Sequence, residues 1–390
     1  MTASAAHSIL PPLSPEEERH CAAAVALIRE RIRGAGGWIS FATFMQLALY
    51  APGLGYYSAG ARKLGPGGDF VTAPEVSDLF SRCLARQCAQ VLLQTGGEML
   101  EIGAGTGRMA AIVLESLAQL DALPTRYAIL EVSADLRERQ AARLNLLPTF
   151  LRERVVWLDA LPASPLRGVV VANEVLDALP TQRVIVRDGH ARELGVVIAD
   201  QGFGWSEHHE VAAAADALLR ELPHALPDGY VSEICLQTEP WIASIGQCLE
   251  RGVLLLLDYG LPRLHYYHPQ RVAGTLRCHY KHLAHDDPFI NVAVQDITSW
   301  VDFTRVAEAA VAVDLEVRGF VTQAAFLLGT GIEALVAAAT EPVEHARLAG
   351  EARRLLLPGE MGEAFKVMAL TRCWCDAMVG FTHQDLRPSL

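Results

Sequence analysis

An acid followed by three alternating glycines, Glu101-Ile102-Gly103-Ala104-Gly105-Thr106-Gly107, is the stretch of this chain best suited to chemistry. Met99 and Leu100 before it read as a strand, and Met109, Ile112, Val113 and Leu117 after it recur at helical spacing. A strand, a glycine loop and a helix offer a ligand close backbone approach and the free N–H groups of a helix N-terminus. That suits a nucleotide-like ligand bearing a carboxylate or phosphate. Further polar groups end the next apolar runs: Glu131 after Tyr127–Leu130, Asp159 after Val155–Leu158, and Asn173-Glu174 after Val169–Ala172. A carboxylate ending the second strand can accept both hydroxyls of a ribose. An acid ending the third can meet an adenine amino group. Glu131, Ser133 and Asp135 also suit the start of a helix, so capping is the competing reading there.

The ligand class turns on one departure. A dinucleotide fingerprint needs glycine at its third position, where this chain has Arg108. The pattern E-x-G-x-G-x-G instead resembles the first motif of Rossmann-like methyltransferases that use S-adenosyl-L-methionine (SAM).

The elements that must position these residues alternate strand and helix from Gly97 to Asn173, which predicts a parallel sheet. Gly252 to Leu257 reads as a buried central strand ending in Asp258, and Phe365 to Leu370 as a closing strand. After Pro180, Gln182–Arg187 and Arg192–Ile198 flank Asp188-Gly189, a hairpin turn, so residues 180–234 read as an insertion. Upstream, residues 1–18 read as loose. A helix then shows its apolar face through Ala24, Leu27, Ile28 and Ile32, and a second leads to Pro52-Gly53. The long glycine-rich region from Gly53 to Glu75, anchored by Tyr56, Tyr57 and Phe70, reads as a lid; a pinned surface excursion is the alternative. Val76–Leu93 reads as one helix. The chain is thus expected to divide into residues 1–95, helices and lid, and residues 96–390, the α/β domain with its insertion.

A net charge of −12 and the lack of any basic patch argue against nucleic-acid binding. No apolar run reaches the length of a membrane span. The eight cysteines are scattered without a C-x-x-C pair, as in a reduced protein, and no targeting segment is read; the expectation is a cytoplasmic chain. His279, His282 and His285 recur every third residue in a His- and Tyr-rich loop from Leu261 to Pro288. No acid or cysteine constellation accompanies them, and no metal is expected.

By Asn173-Glu174-Val175-Leu176-Asp177-Ala178-Leu179-Pro180 the chain resembles the MidA-type methyltransferases, the family that includes the mitochondrial complex I assembly-factor methyltransferase. The resemblance extends through Gly55-Tyr56-Tyr57, Gly68 to Glu75, Glu101 to Gly107, Glu131-Val132-Ser133, Asp258-Tyr259-Gly260, Gly274 to Arg277, Val301-Asp302-Phe303 and Met361 to Val367. It implies a class I fold: α/β, with a seven-stranded sheet holding one antiparallel strand. It also implies SAM as methyl donor and, for the mitochondrial relatives, dimethylation of an arginine on a complex I subunit.

In that reading Gly103, Gly105 and Gly107 pass beneath the methionine end of the cofactor, and Glu101 anchors its amino group. Glu131 holds the ribose and Asp159 the adenine. Asn173, Thr72, Pro74 and Glu75 complete the cofactor site. Glu174 and Asp177, three residues apart, would share a helix face and grip a guanidinium acceptor, with Asp258 and Asp69 behind them. Capping is the alternative for that pair. The expected partner is a protein presenting an arginine; a homodimer is admitted, though no residue marks its interface. The competing readings are a small-molecule methyltransferase and a SAM-binding assembly factor acting mainly by binding.

Overall fold

Val169-Val170-Val171-Ala172 and Val253-Leu254-Leu255-Leu256-Leu257 carry no polar side chain, and all nine residues are buried, in neighbouring parallel strands. They form the middle of the main sheet in the computed structural model, which describes residues 10–58, 72–200 and 202–390. Seven of its strands run β1 (Glu98–Ile102), β2 (Tyr127–Leu130), β3 (Val155–Leu158), β4 (Leu166–Asn173), β5 (Leu249–Leu261), β6 (Glu316–Thr322) and β7 (Phe365–Arg372). Their spatial order is β6-β7-β5-β4-β1-β2-β3. Every neighbouring pair from β5 to β3 is parallel, whereas β7 runs antiparallel to both β5 and β6. This is the class I sheet with its single antiparallel strand. Val301–Asp302 adds a two-residue parallel pairing to β5.

The chain between residues 71 and 176 also supplies the helices α1 (Ala73–Val76), α2 (Asp78–Thr95), α3 (Arg108–Gln119) and α4 (Ala134–Leu144). The single helix expected over Val76–Leu93 is broken at Ser77. Its backbone is extended, and its hydroxyl caps α2 by accepting from Leu79 N–H. Cys83, Leu84, Cys88, Val91, Val113, Leu114, Leu117 and the inward residues of β1, β4 and β5 share one apolar core.

The chain packs as two units that interleave in sequence instead of parting at residue 95. The main sheet belongs to the unit made of 71–176, 239–262 and 301–390; the other is made of 1–70, 177–238 and 263–300. In the second unit Gln182–Arg187 and His190–Ala199 pair across Asp188-Gly189, both with positive φ, as the hairpin reading requires. Gly202–Val211 adds a third strand, and Ile39–Ser40 and Val231–Ile234 complete an antiparallel sheet. Its core stacks Phe41, Phe44, Phe203, Trp205 and Phe289.

Two further expectations need correction. The N-terminal helix begins at Pro15, inside the stretch read as loose, because Ser14 and Glu17 form a reciprocal capping box. The His-rich loop is partly strand: Arg277–Tyr280 pairs with Leu283–His285 and Asp296–Thr298, turning at Lys281 and His282, both with positive φ. Most of the glycine-rich lid, including Gly65–Val71 and Asp69, lies outside the described residues.

Candidate active site

Parallel pairing in register brings the strand ends level. Ile102 pairs with Leu130 and Ala172, Leu130 with Leu158, and Asn173 with Leu257. The residues that follow each strand, Gly103, Glu131, Asp159, Glu174 and, within β5, Asp258, are therefore arrayed along one carboxyl edge. Ligands of open α/β sheets bind outside that edge.

The glycine loop is bent as the spacing predicts. Gly103, Gly105 and Gly107 all have positive φ. A Cβ on Gly103 would lie 3.2 Å from Val175 Cγ2, and one on Gly107 would lie 3.1 Å from Gln140 Cα. The third glycine thus makes room for a neighbouring helix as well as a turn.

Glu101, at the penultimate position of β1, is wholly buried. Tyr127 Oη donates to its Oε2 at 2.5 Å, while its Oε1 has no hydrogen-bond partner among the described residues. Burial pushes the Glu101 carboxyl up to about 7, the Tyr127 hydrogen bond opposing and the nearby Glu131 charge adding to it. A buried acceptor with a spare oxygen fits a ligand that brings a cationic donor.

Glu131 is buried at the end of β2. Its Oε1 accepts from Ser133 N–H at 3.0 Å and its Oε2 from Gln140 Nε2 at 3.0 Å. Burial raises its pKa, and these hydrogen bonds oppose the rise. Ser133, and not Glu131, caps α4 through its hydroxyl. The carboxylate is therefore not consumed by the helix start that competed for it on sequence grounds. Asp159 is placed differently: its side chain is 93% exposed and pairs with Arg137 Nη1 at 2.7 Å.

Thr72 precedes α1 and its carbonyl accepts from Glu75 N–H; Pro74 is buried in the first turn. Glu75 accepts from the loop hydroxyl Thr106 Oγ1 at 2.5 Å, and its carbonyl accepts from Arg108 Nη1 at 3.0 Å. Arg108 also holds Asp78. The glycine loop and α1 are thereby tied together.

At the end of β4, Asn173 Nδ2 donates to Glu174 Oε1 at 3.1 Å. Glu174 has φ +53°, a left-handed backbone at a non-glycine residue. This overturns the expected shared helix face of Glu174 and Asp177: a helix cannot run through that backbone, and the segment after β4 is a turn. Asp177 falls in the other unit, where it is buried and its carbonyl accepts from Ser299 N–H. Asp258 is buried; its Oδ2 accepts from Leu176 N–H and its Oδ1 from Tyr259 N–H, each at 2.9 Å. It thereby holds the turn that carries Glu174.

The sequence reading missed Gln140, Trp157 and Thr106 and used Arg108 only to exclude a dinucleotide. Gln140 had a signal: it interrupts the buried face Leu136–Gln140–Leu144 at helical spacing. Burial lowers His279 to about 4, and no group of three His, Cys, Asp or Glu among the described residues is placed to hold a metal.

A family model described as "Putative S-adenosyl-L-methionine-dependent methyltransferase" matches residues 83–321. Among curated proteins, the mitochondrial protein arginine methyltransferase NDUFAF7 of Mus musculus is 30% identical, covering 86% of this chain and 81% of that protein. The Drosophila melanogaster homolog is 28% identical, covering 88% and 83%. A solved structure from Burkholderia thailandensis, titled a "likely methyl transferase" and bound to S-adenosyl-homocysteine, is 40% identical. It superposes with a TM-score of 0.93 over 98% of this chain and 100% of that one. The expectation of a cytoplasmic chain does not stand, because these curated relatives are named as mitochondrial proteins. All eight cysteines are free.

Proposed function

This chain belongs to that family of SAM-dependent methyltransferases, and we propose that it methylates the guanidinium of an arginine on a partner protein. The observation that carries the reading is the level array of carboxylates along the carboxyl edge of the sheet, with Glu101 and Glu131 on the cofactor side and Glu174 beyond β4. The names of the curated relatives support the arginine acceptor.

Bound there, SAM would supply an electrophilic methyl group on its sulfonium sulfur; the acceptor nitrogen would bond that carbon as the carbon–sulfur bond breaks, with the thioether as leaving group and one N–H proton released. In our reading, Glu131 accepts the ribose hydroxyls, held in aim by Ser133 and Gln140. The glycine loop lets the methionine end pass close to the backbone, and Glu101 Oε1 accepts from the ammonium. Asp159, held by Arg137 through Oδ1, takes the adenine amino group on its exposed carboxylate. Thr72, Pro74 and Glu75 border the loop, and Asn173 steadies Glu174. Glu174 accepts from the acceptor guanidinium, and Asp258 keeps the turn in place. A carboxylate gripping guanidinium N–H groups orients one nitrogen toward the methyl and takes up the proton that this nitrogen gives up as its bond to carbon forms. Asp177 is a second acceptor-binding candidate. A respiratory complex I subunit, which the family resemblance implies for its mitochondrial members, is the partner in our reading.

The test is methylarginine mass spectrometry on cells lacking this chain, complemented with wild type or Glu131→Ala. The proposal expects one protein to lose methylarginine in the deletion and to regain it only with wild type. An unchanged methylarginine pattern, with purified protein still binding S-adenosylhomocysteine, would move the acceptor to a small molecule.

A further inference from the structure

Gln140 is a glutamine with no exposed surface, and three of its hydrogen bonds join separate parts of the site. Its Oε1 accepts from Trp157 Nε1 on β3 at 3.0 Å. Its Nε2 donates to Gly105 O in the glycine loop at 3.0 Å and to Glu131 Oε2 at 3.0 Å. The indole N–H can only donate, so it fixes which end of the amide faces which way. The other end must then present both hydrogens to two groups that can only accept, a carbonyl and a carboxylate. The packing serves the same placement: at Gly107 a Cβ would meet Gln140 Cα, Cγ and Cβ within 3.1–3.4 Å.

We propose that Gln140 is a positioning residue for the adenosyl group: it locks the ribose-facing carboxylate of Glu131 to the Gly105 carbonyl as one frame, in the sense that Trp157 dictates. The inference rests on the methyltransferase reading and adds to it a residue that touches no substrate. Without the amide, Glu131 loses its one side-chain hydrogen bond and is aimed at the ribose by backbone N–H groups at Ser133 and Val132 alone. With a carboxyl in place of the amide, an acceptor faces two acceptors until it is protonated.

The experiment is calorimetric binding of S-adenosylhomocysteine and of its 2′-deoxyribose analogue to wild type, Gln140→Leu, Gln140→Glu and Trp157→Phe. Thermal unfolding of each checks the fold. Wild type is expected to prefer the ribose form. Gln140→Leu is expected to bind it about 10- to 100-fold more weakly, the loss of a hydrogen bond to a charged group, and to lose most of the ribose preference. Gln140→Glu is expected to close part of its deficit relative to wild type as the pH falls, because the protonated carboxyl can donate to Glu131 again; Gln140→Leu shows no such narrowing. Trp157→Phe, which keeps both donors but frees the amide to flip, is expected to fall between. It and Gln140→Glu decide the matter if Gln140→Leu does not fold.

A folded Gln140→Leu with unchanged affinity overturns the inference. So does a loss of affinity that leaves ribose preference intact, since that is a general packing effect. A wild-type chain that binds no S-adenosylhomocysteine removes the methyltransferase reading itself, and the inference falls with it.

Discussion

Tyr127 donates its phenolic hydrogen to Glu101 Oε2 across 2.5 Å, and neither side chain reaches solvent. The two residues sit on adjacent strands, β1 and β2, and Glu101 lies two positions before the first glycine of the loop. A carboxyl group in that place holds its proton to about pH 7 against an ordinary value of 4.5, mainly because burial penalises its charge.

Between those two values the folded chain binds more protons than the unfolded one, so stability falls as pH rises from 4.5 to about 7 and is flat beyond. The full loss from this group is on the order of 3 kcal/mol. Urea denaturation of wild type and Glu101→Gln across pH 5 to 8 checks it: the difference in slope between the two proteins is the Glu101 contribution, and parallel curves would refute it. Ligand binding carries the opposite sign. An ammonium on Glu101 favours the ionised form, so S-adenosylhomocysteine affinity is expected to fall as pH drops through 7 in wild type and to change less in Glu101→Gln.

Glu131→Ala removes the carboxylate that Ser133 and Gln140 aim. Two hydrogen bonds from ribose hydroxyls to a charged acceptor are lost, and the dissociation constant for S-adenosylhomocysteine is expected to rise about 100-fold or more. Calorimetry measures it. Affinity within a factor of three of wild type would place the ribose elsewhere.

Gly107→Ala puts a side chain on a backbone at φ +77° and drives its Cβ toward Gln140. The left-handed backbone alone costs about 1–2 kcal/mol in folding stability. Because α4 must shift to admit the methyl, cofactor affinity should fall as well. Denaturant unfolding and calorimetry on one preparation separate the two effects.

Glu174 is strained where it stands, at φ +53° beside Asn173. Glu174→Gly relieves that strain while loosening the unfolded chain, so stability should stay within about 1 kcal/mol of wild type. Methyl transfer should fall by about 100-fold or more, as when a group that grips the reacting partner is lost. S-adenosylhomocysteine binding should be nearly unchanged. A variant that keeps full turnover would remove Glu174 from the acceptor side.

What the sequence determined by itself is local and periodic. Continuous apolar runs marked β4 and β5, alternating glycines marked the loop, and Asp188-Gly189 marked a hairpin, because each depends on residues within a few positions of one another. Acids ending those runs marked the candidate site for the same reason. The tertiary structure decided which ends stand side by side, since register between β1, β2, β3 and β4 is set by pairing partners dozens of residues apart. It also decided that Glu174 leaves the helical region and that Gln140, on the buried face of α4, joins the glycine loop, the end of β2 and β3 at once. A polar residue in an apolar stripe signals a buried partner, but only the packing of α4 against Gly107 says which partners those are.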